Sequence, residues 1–316
     1  MRILLIHTGG TIGMVQAEDG FEPKEGVVEA AVQDLVETGG VRSSVDIRKL
    51  DPLIDSAQAT PADWIRIAQT VFDAREDYDA FVVTHGTDTL AYTAGALTLA
   101  LPGLKKPVIV TGAMLPLSVK GTDGRRNLKD ALKGAAGAAP GVWVQFAGRR
   151  LHGARVRKSH SSSFDAFEAG DWVVPPVIPA DQPSISALGD FNVGVFSVTP
   201  GPCTGLLAYA ADHCDAVLLR CYGSGTAPDT PEMRALLGKA RAREIPVIAV
   251  SQCPEGGMKL GTYAAGKMMR DNGVIDGRDM TPEMAYVKLH FCLSRECGYQ
   301  ARRDFLAGSQ CGELNP

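Results

Sequence analysis

Short, solid apolar blocks recur along the chain and alternate with longer stretches of helical periodicity. RILLIH (2–7) is the first block, followed at once by glycines, and SVDIRKL (44–50), AFVVT (80–84), PVIVT (107–111) and VWVQF (142–146) repeat it. The stretches at about 26–38, 61–75, 88–100 and 124–138 read as the helices between them. Strands of this kind, with little polar alternation, are covered on both faces, so the pattern predicts an α/β fold with a parallel-rich doubly wound sheet. Thr60-Pro61, Thr230-Pro231 and Thr281-Pro282 each set a capping hydroxyl before a proline at a first helical position.

Four prolines between Pro175 and Pro183, then Ser184 to Gly189, read as a crossing or linker. Beyond them the alternation restarts with VGVFSV (193–198), DAVLLRC (215–221) and PVIAVSQ (246–252). Helices are expected near 204–212, 231–243, 261–272 and 282–294. A larger N-terminal α/β domain over 1–185 and a smaller C-terminal α/β domain over 190–316 follow from this pattern.

Composition narrows the function classes. At 316 residues, with 45% hydrophobic and 22% charged positions, the chain can bury its cores without disulfides or structural metals. A net charge of −4 gives no field for a polyanion, and 6% aromatics give no stacking platform. Nucleic acid and membrane are therefore not expected partners. No apolar run approaches the roughly 18 residues of a membrane helix, and no signal-peptide core follows Met1-Arg2. The seven cysteines (203, 214, 221, 253, 292, 297 and 311) form no CxxC pair, which predicts reduced thiols in the cytoplasm. Cys253, just past an apolar strand, is expected to be buried. The six histidines (7, 85, 152, 160, 213 and 290) show neither HxxxH nor HExxH spacing, so no metal site is expected.

Polar residues gather at two strand ends. HTGGTIG (7–13) follows the first strand and THGTDT (84–89) follows AFVVT. In a parallel sheet the carboxyl ends of the strands face the ligand crevice. Thr and Asp before a helix are also ordinary caps, and Gly9-Gly10 an ordinary tight turn; two such clusters on one rim favour chemistry. GxSxG, Walker A and GxGxxG motifs are absent. A threonine hydroxyl becomes a nucleophile once a base takes its proton. His7 and His85 are candidates for that base, although the backbone at strand ends can hide them. Lys158, in RVRKSHS (155–161), is another, since burial and cationic neighbours can hold a lysine neutral. On the residues alone a solvated loop cation is the stronger reading of Lys158. Arg125, Arg126, Arg149 and Arg150 read as structural or interface charges.

Nearly end to end, the chain resembles the bacterial-type L-asparaginases, more the cytoplasmic type I branch than the periplasmic type II. The resemblance rests on TGGTIG (8–13), LIDSAQATPADW (53–64), VVTHGTDTLAYTA (82–94) and PVIVTGAMLPL (107–117). It continues through GTDGRRNL (121–128), RKSHSSSFDAF (157–167), SQCPEGGMKLGTYAAG (251–266) and DMTPEMAYVKLH (279–290). It implies an amidohydrolase that converts L-asparagine to L-aspartate and ammonia without a cofactor, with Thr11 as the nucleophile of an acyl-enzyme. It also implies that Thr87, Asp88 and Lys158 shuttle protons and aid attack. Thr87 and Asp88 would contact substrate as well, Asp88 gripping the α-ammonium. Ser56 would take the α-carboxylate, and the Ala113 backbone the amide and oxyanion. A homodimer or homotetramer, each site completed by a neighbour's small domain, is implied too.

Two positions depart from the family. Phe21 stands where relatives carry a tyrosine that hydrogen-bonds the nucleophile, beside the polar stretch Gln16-Ala17-Glu18-Asp19-Gly20, which suits a mobile lid. Tyr263 and Tyr286 are candidates to replace the missing hydroxyl. Thr226 stands where relatives tend to carry asparagine. The alternatives to a dedicated asparaginase are a mixed glutaminase-asparaginase and a catalytically weakened amino-acid sensor on the same fold. A tRNA-dependent amidotransferase subunit built on this fold carries an extra N-terminal module, whereas TGGTIG here begins at residue 8.

Overall fold

A computed structural model describes residues 1–18, 20–201 and 204–315; of the residues singled out above, Asp19 and Cys203 lie outside these. The chain divides into two units, Met1–Ser186 and Ala187–Pro316. The first unit opens with β1 (Arg2–Gly9), a hairpin of β2 (Met14–Ala17) and β3 (Gly20–Pro23), then α1 (Val27–Glu37) and β4 (Ser44–Ile54). It continues with α2 (Pro61–Asp73), β5 (Ala80–Thr84), α3 (Leu90–Ala100), β6 (Pro107–Thr111), α4 (Gly124–Ala135) and β7 (Gly141–Phe146). Three short strands close it: β8 (Arg149–His152), β9 (Val156–Lys158) and β10 (Phe167–Ala169).

The main sheet runs β4-β1-β5-β6-β7-β8, parallel throughout except for the antiparallel edge strand β8. β5 and β6 are buried at every position, as their unbroken apolar sequence requires. On one face Val28 and Val32 of α1 and Leu128 and Leu132 of α4 pack against Ile3, Leu5, Val82 and Ile109. The alternate positions Leu4, Ile6, Phe81, Val83 and Val108 point the other way and are equally buried. Each such side chain contributes about 1.5–3 kcal/mol by leaving water. The strand order positions the site. The chain leaves β1 for β4 on one side, then crosses back to β5 on the other. That reversal makes β1/β5 the topological switch point, where the carboxyl ends of the strands open a crevice.

The proline-rich stretch stays with the first unit as a strap. Gly103 N–H donates to the Ile178 carbonyl (2.8 Å) and Val142 N–H to that of Pro176 (3.0 Å). Ser184 and Ser186 N–H groups donate to Pro102 and Ala100 (3.0 and 2.9 Å). Proline has no N–H to give, so the Pro176 end of the strap accepts.

The second unit holds β11 (Val193–Ser197), α5 (Thr204–His213), β12 (Ala216–Cys221), α6 (Pro231–Ala242) and β13 (Val247–Ser251). Then come α7 (Ala264–Asp271), β14 (Ile275–Asp276), α8 (Pro282–Leu293) and α9 (Tyr299–Ala307). Its four strands are parallel in the order β11-β12-β13-β14. Leu207, Leu236, Leu237 and Met269 pack against Val217, Leu219 and Ala249, and α8 lies across β11–β13. Among the described residues no helix is long and apolar enough to cross a membrane.

Three local results refine the sequence reading. The Thr230 and Thr281 hydroxyls cap their helices, accepting from Met233 and Met284 N–H groups at 3.2 Å. At Thr60 the cap is a capping box: the Thr60 side chain faces the Asp63 N–H, while the Asp63 carboxylate accepts from the Thr60 N–H (2.9 Å) and hydroxyl (3.0 Å). Cys253 is exposed, against expectation. β13 ends at Ser251, whose hydroxyl donates to Gly223 O and accepts from Cys253 N–H, turning the chain out of the core.

Candidate active site

β1 ends in Thr8-Gly9-Gly10-Thr11, pressed against the turn that follows β5. Gly10 has φ 85°, and a Cβ there would stand 2.4 Å from the Gly86 nitrogen, so only glycine fits. Thr8 Oγ1 donates to Thr84 O at 2.8 Å, tying the two strand ends together. Thr11 then opens a 3₁₀ turn (Thr11–Gly13) and is half-buried. Among the described residues its hydroxyl has no hydrogen-bond partner.

Thr87 is buried, and its Oγ1 accepts from Lys158 Nζ at 2.9 Å. The same ammonium lies 2.8 Å from Asp88 Oδ1. Because Lys158 supplies the donor, the Thr87 hydroxyl keeps its own proton to give elsewhere. Lys158 is held on β9, paired with β10 through Phe167, while Arg157 alternates away to Glu168. It is therefore no solvated loop cation: its side chain is 20% exposed and that of Asp88 64%. The carboxylate meets solvent at the rim with its ammonium behind it.

Ser56 is buried in a 3₁₀ turn after β4, a turn capped by the Asp55 carboxylate accepting from Ala57 N–H (3.0 Å). Its carbonyl accepts from Thr89 Oγ1 at 2.8 Å, and its hydroxyl occupies the space a Cβ on Gly86 would need. Ala113 follows β6, which pairs with β5 through Thr84 and Thr111. The structure thus brings the Ser56, Thr87, Asp88 and Lys158 side chains together beside the Thr11 turn, with Ala113 on the next strand end.

Sequence reasoning missed two residues behind Ala113. The Asp123 carboxylate accepts from Met114 and Leu115 N–H groups, each at 3.0 Å. Asn127 Nδ2 donates to Asp123 Oδ2 and to Gly112 O, both at 3.0 Å. The neighbouring arginines behave as expected, Arg125 pairing with Asp34 and Arg126 with Asp130.

The histidines serve as pins. His85 Nδ1 donates to Gly86 O (2.8 Å), because a carbonyl can only accept. Its Nε2 then accepts from the Thr93 hydroxyl (3.0 Å). His7 Nδ1 pairs with Thr84 Oγ1 at 2.8 Å. Burial pushes both imidazoles below their ordinary pKa. Among the described residues no three His, Cys, Asp or Glu side chains group as metal ligands would.

Phe21 sits on β3 opposite Gln16 and is 42% exposed. β3 pairs antiparallel with β2, and the pair is held by Ser118 Oγ donating to Met14 O (2.9 Å) and Lys24 N–H donating to Gly13 O (3.0 Å). In the second unit Tyr263 is exposed and Tyr286 packs edge-on against His290. Thr226 is held through its backbone, its carbonyl accepting from Tyr222 N–H at 3.0 Å.

Comparison with known proteins places the chain in a family. Residues 2–182 match the family described as "Asparaginase, N-terminal", and residues 192–306 the "Glutaminase/Asparaginase C-terminal domain". The chain belongs to the asparaginase family. L-asparaginase 1 of Escherichia coli (strain K12) is 36% identical, the match covering 99% of this chain and 98% of that protein. L-asparaginase I from Vibrio cholerae has a TM-score of 0.90 at 32% identity, covering 100% and 99% of the two chains. The thermostable L-asparaginase from Thermococcus kodakarensis has a TM-score of 0.86 at 30% identity over the whole of both. The parallel-rich sheet with a smaller second α/β domain is the architecture of these asparaginases.

Proposed function

We propose that this protein hydrolyses L-asparagine to L-aspartate and ammonia. The carrying observation is the Lys158 ammonium bridging Thr87 Oγ1 and Asp88 Oδ1, set beside a Thr11 hydroxyl that has no partner among the described residues. Full-length similarity to proteins named L-asparaginase supports it.

Thr11 Oγ1 attacks the side-chain amide carbon and gives up its proton. The tetrahedral intermediate collapses, the C–N bond breaks, and nitrogen takes a proton to leave as ammonia. A β-aspartyl ester on Thr11 remains, and water attacks it to restore the threonine and release aspartate. The Thr87, Lys158 and Asp88 set relays these protons and positions the water. Asp88 holds the α-ammonium, Ser56 the α-carboxylate, and the Ala113 backbone the amide.

Glutamine is the second substrate to weigh, since the C-terminal family spans glutaminases too. One methylene is worth only about 1–3 kcal/mol of discrimination. Ammonia release by the purified protein, with asparagine and glutamine in parallel and Thr11→Val as blank, tests the reading. No release above the blank sinks it and leaves the amino-acid sensor.

A homodimer or homotetramer in the cytoplasm completes the proposal. The six described cysteines are all free, which suits a reducing compartment. Closed symmetric assemblies are the usual state of such enzymes. An active species sedimenting at 33.5 kDa would contradict the oligomer.

A further inference from the structure

Asp123 stands just before α4, where a carboxylate ordinarily caps the helix, yet its side chain makes no cap. It turns back instead to the chain after β6, where Met114 and Leu115 N–H groups donate to it. One turn along α4, Asn127 donates to Gly112 O and to Asp123, and accepts from Ala147 N–H at 3.0 Å. Asn127 is 1% exposed and Asp123 9%.

This pair holds the two peptide groups that flank Ala113. In a planar trans peptide the C=O and N–H point in opposite directions. With Gly112 C=O turned to Asn127, the Ala113 N–H points away from α4. With Met114 N–H turned to Asp123, the Ala113 C=O points away as well. Ala113 is 1% exposed, and among the described residues neither of its backbone polar atoms has a partner. Buried backbone groups are almost always paired, so a pair left open on a strand end beside Thr87 awaits a ligand.

We propose that Asp123 and Asn127 are positioning residues that fix the direction of the Ala113 N–H and C=O toward the substrate amide. This rests on the reading of the site given above. Preorganised backbone dipoles act where charge develops, so loosening them lowers kcat more than it raises KM.

The test measures kcat and KM for asparagine in Asp123→Asn, which sets an NH₂ against Asn127 Nδ2, and in Asn127→Ser, which is too short to hold Gly112 O, Asp123 and the Ala147 N–H together. Tryptophan fluorescence checks folding, and if one variant does not fold the other decides. The expected result is a kcat about 10- to 100-fold lower with KM within about threefold, a fraction of the loss seen when an oxyanion donor is deleted outright. Asp123→Ser, which can cap α4 yet is too short to hold both amides, should share the kcat defect. Wild-type kcat in a folded variant, or a rise in KM alone, overturns the proposal. Thr11→Val is measured alongside. If it stays active, the reading of the site itself fails. If it is inactive while Asp123→Asn is normal, only the positioning role falls.

Discussion

Lys158 Nζ lies 2.9 Å from Thr87 Oγ1, although 71 positions separate the two residues. The ammonium touches the hydroxyl oxygen directly and Asp88 Oδ1 at the same time. A cation so placed both orients the hydroxyl and tempers the charge of the carboxylate at the rim.

Thr11→Val keeps the side-chain shape and removes the hydroxyl. Turnover should fall by several orders of magnitude with unchanged tryptophan fluorescence, and Thr87→Val should do comparable damage. Retention of about a tenth of wild-type turnover by Thr11→Val would mean that another group is the nucleophile.

Lys158→Met removes the ammonium and keeps the stem. A lost proton relay is worth about 10²–10⁴-fold in kcat, and the pH profile should change with it. Unchanged activity with an unchanged profile would reduce Lys158 to a structural charge.

Phe21→Tyr supplies the hydroxyl that the family resemblance implies at this position. The ring is partly exposed on β3, so stability should move by no more than about 0.5 kcal/mol. If the missing group limits the rate, turnover rises, by up to about 10²-fold. Unchanged or lower turnover means that another group already serves Thr11, and a structure with aspartate bound should show it within hydrogen-bond reach.

Acid sensitivity should appear before the carboxylates titrate. Burial lowers the pKa of His7 and His85 in the folded protein. Below about pH 6.5 the unfolded chain takes up protons on them that the native state refuses. Their stabilisation is complete above that pH and is lost as pH falls toward the folded values, by up to about 1.4 kcal/mol per pH unit for each histidine. Trp64, Trp143 and Trp172 all lie in Met1–Ser186, so their fluorescence follows the unit that holds both histidines. The urea midpoint should drop between pH 7.5 and 5.5. A flat midpoint over that range would refute the burial effect.

The strands that build the switch point were readable because both of their faces are covered, which leaves β1, β5 and β6 as unbroken apolar runs. RRLH, VRK and FEA gave no such signal. They are short and partly exposed, so β8, β9 and β10 carry charge where a core strand carries valine. Lys158 looked like a loop residue for that reason. Within YQARRDFLA only Leu306 is fully buried, and α9 went unread. The Thr11 and Thr87 motifs stood out by their glycines and hydroxyls. Asp123 and Asn127 did not, because an acid at a helix start already has an ordinary explanation. Nor did Lys288 and Glu313, a fully buried ion pair whose partners are 25 positions apart. Only the fold says which acid faces which base.

The contact between Gly10 and Gly86 has a consequence for how such a protein can change over generations. Main chain rests on main chain there, so the spacing of the two threonine loops follows from covalent geometry and has no rotamer to drift with. Residues that line the walls can be exchanged, and the preference for one amide over another can wander, while the distance between the reactive groups stays as it was. Substrate range and chemical competence are thereby written in different parts of the sequence, and selection can act on the first without disturbing the second.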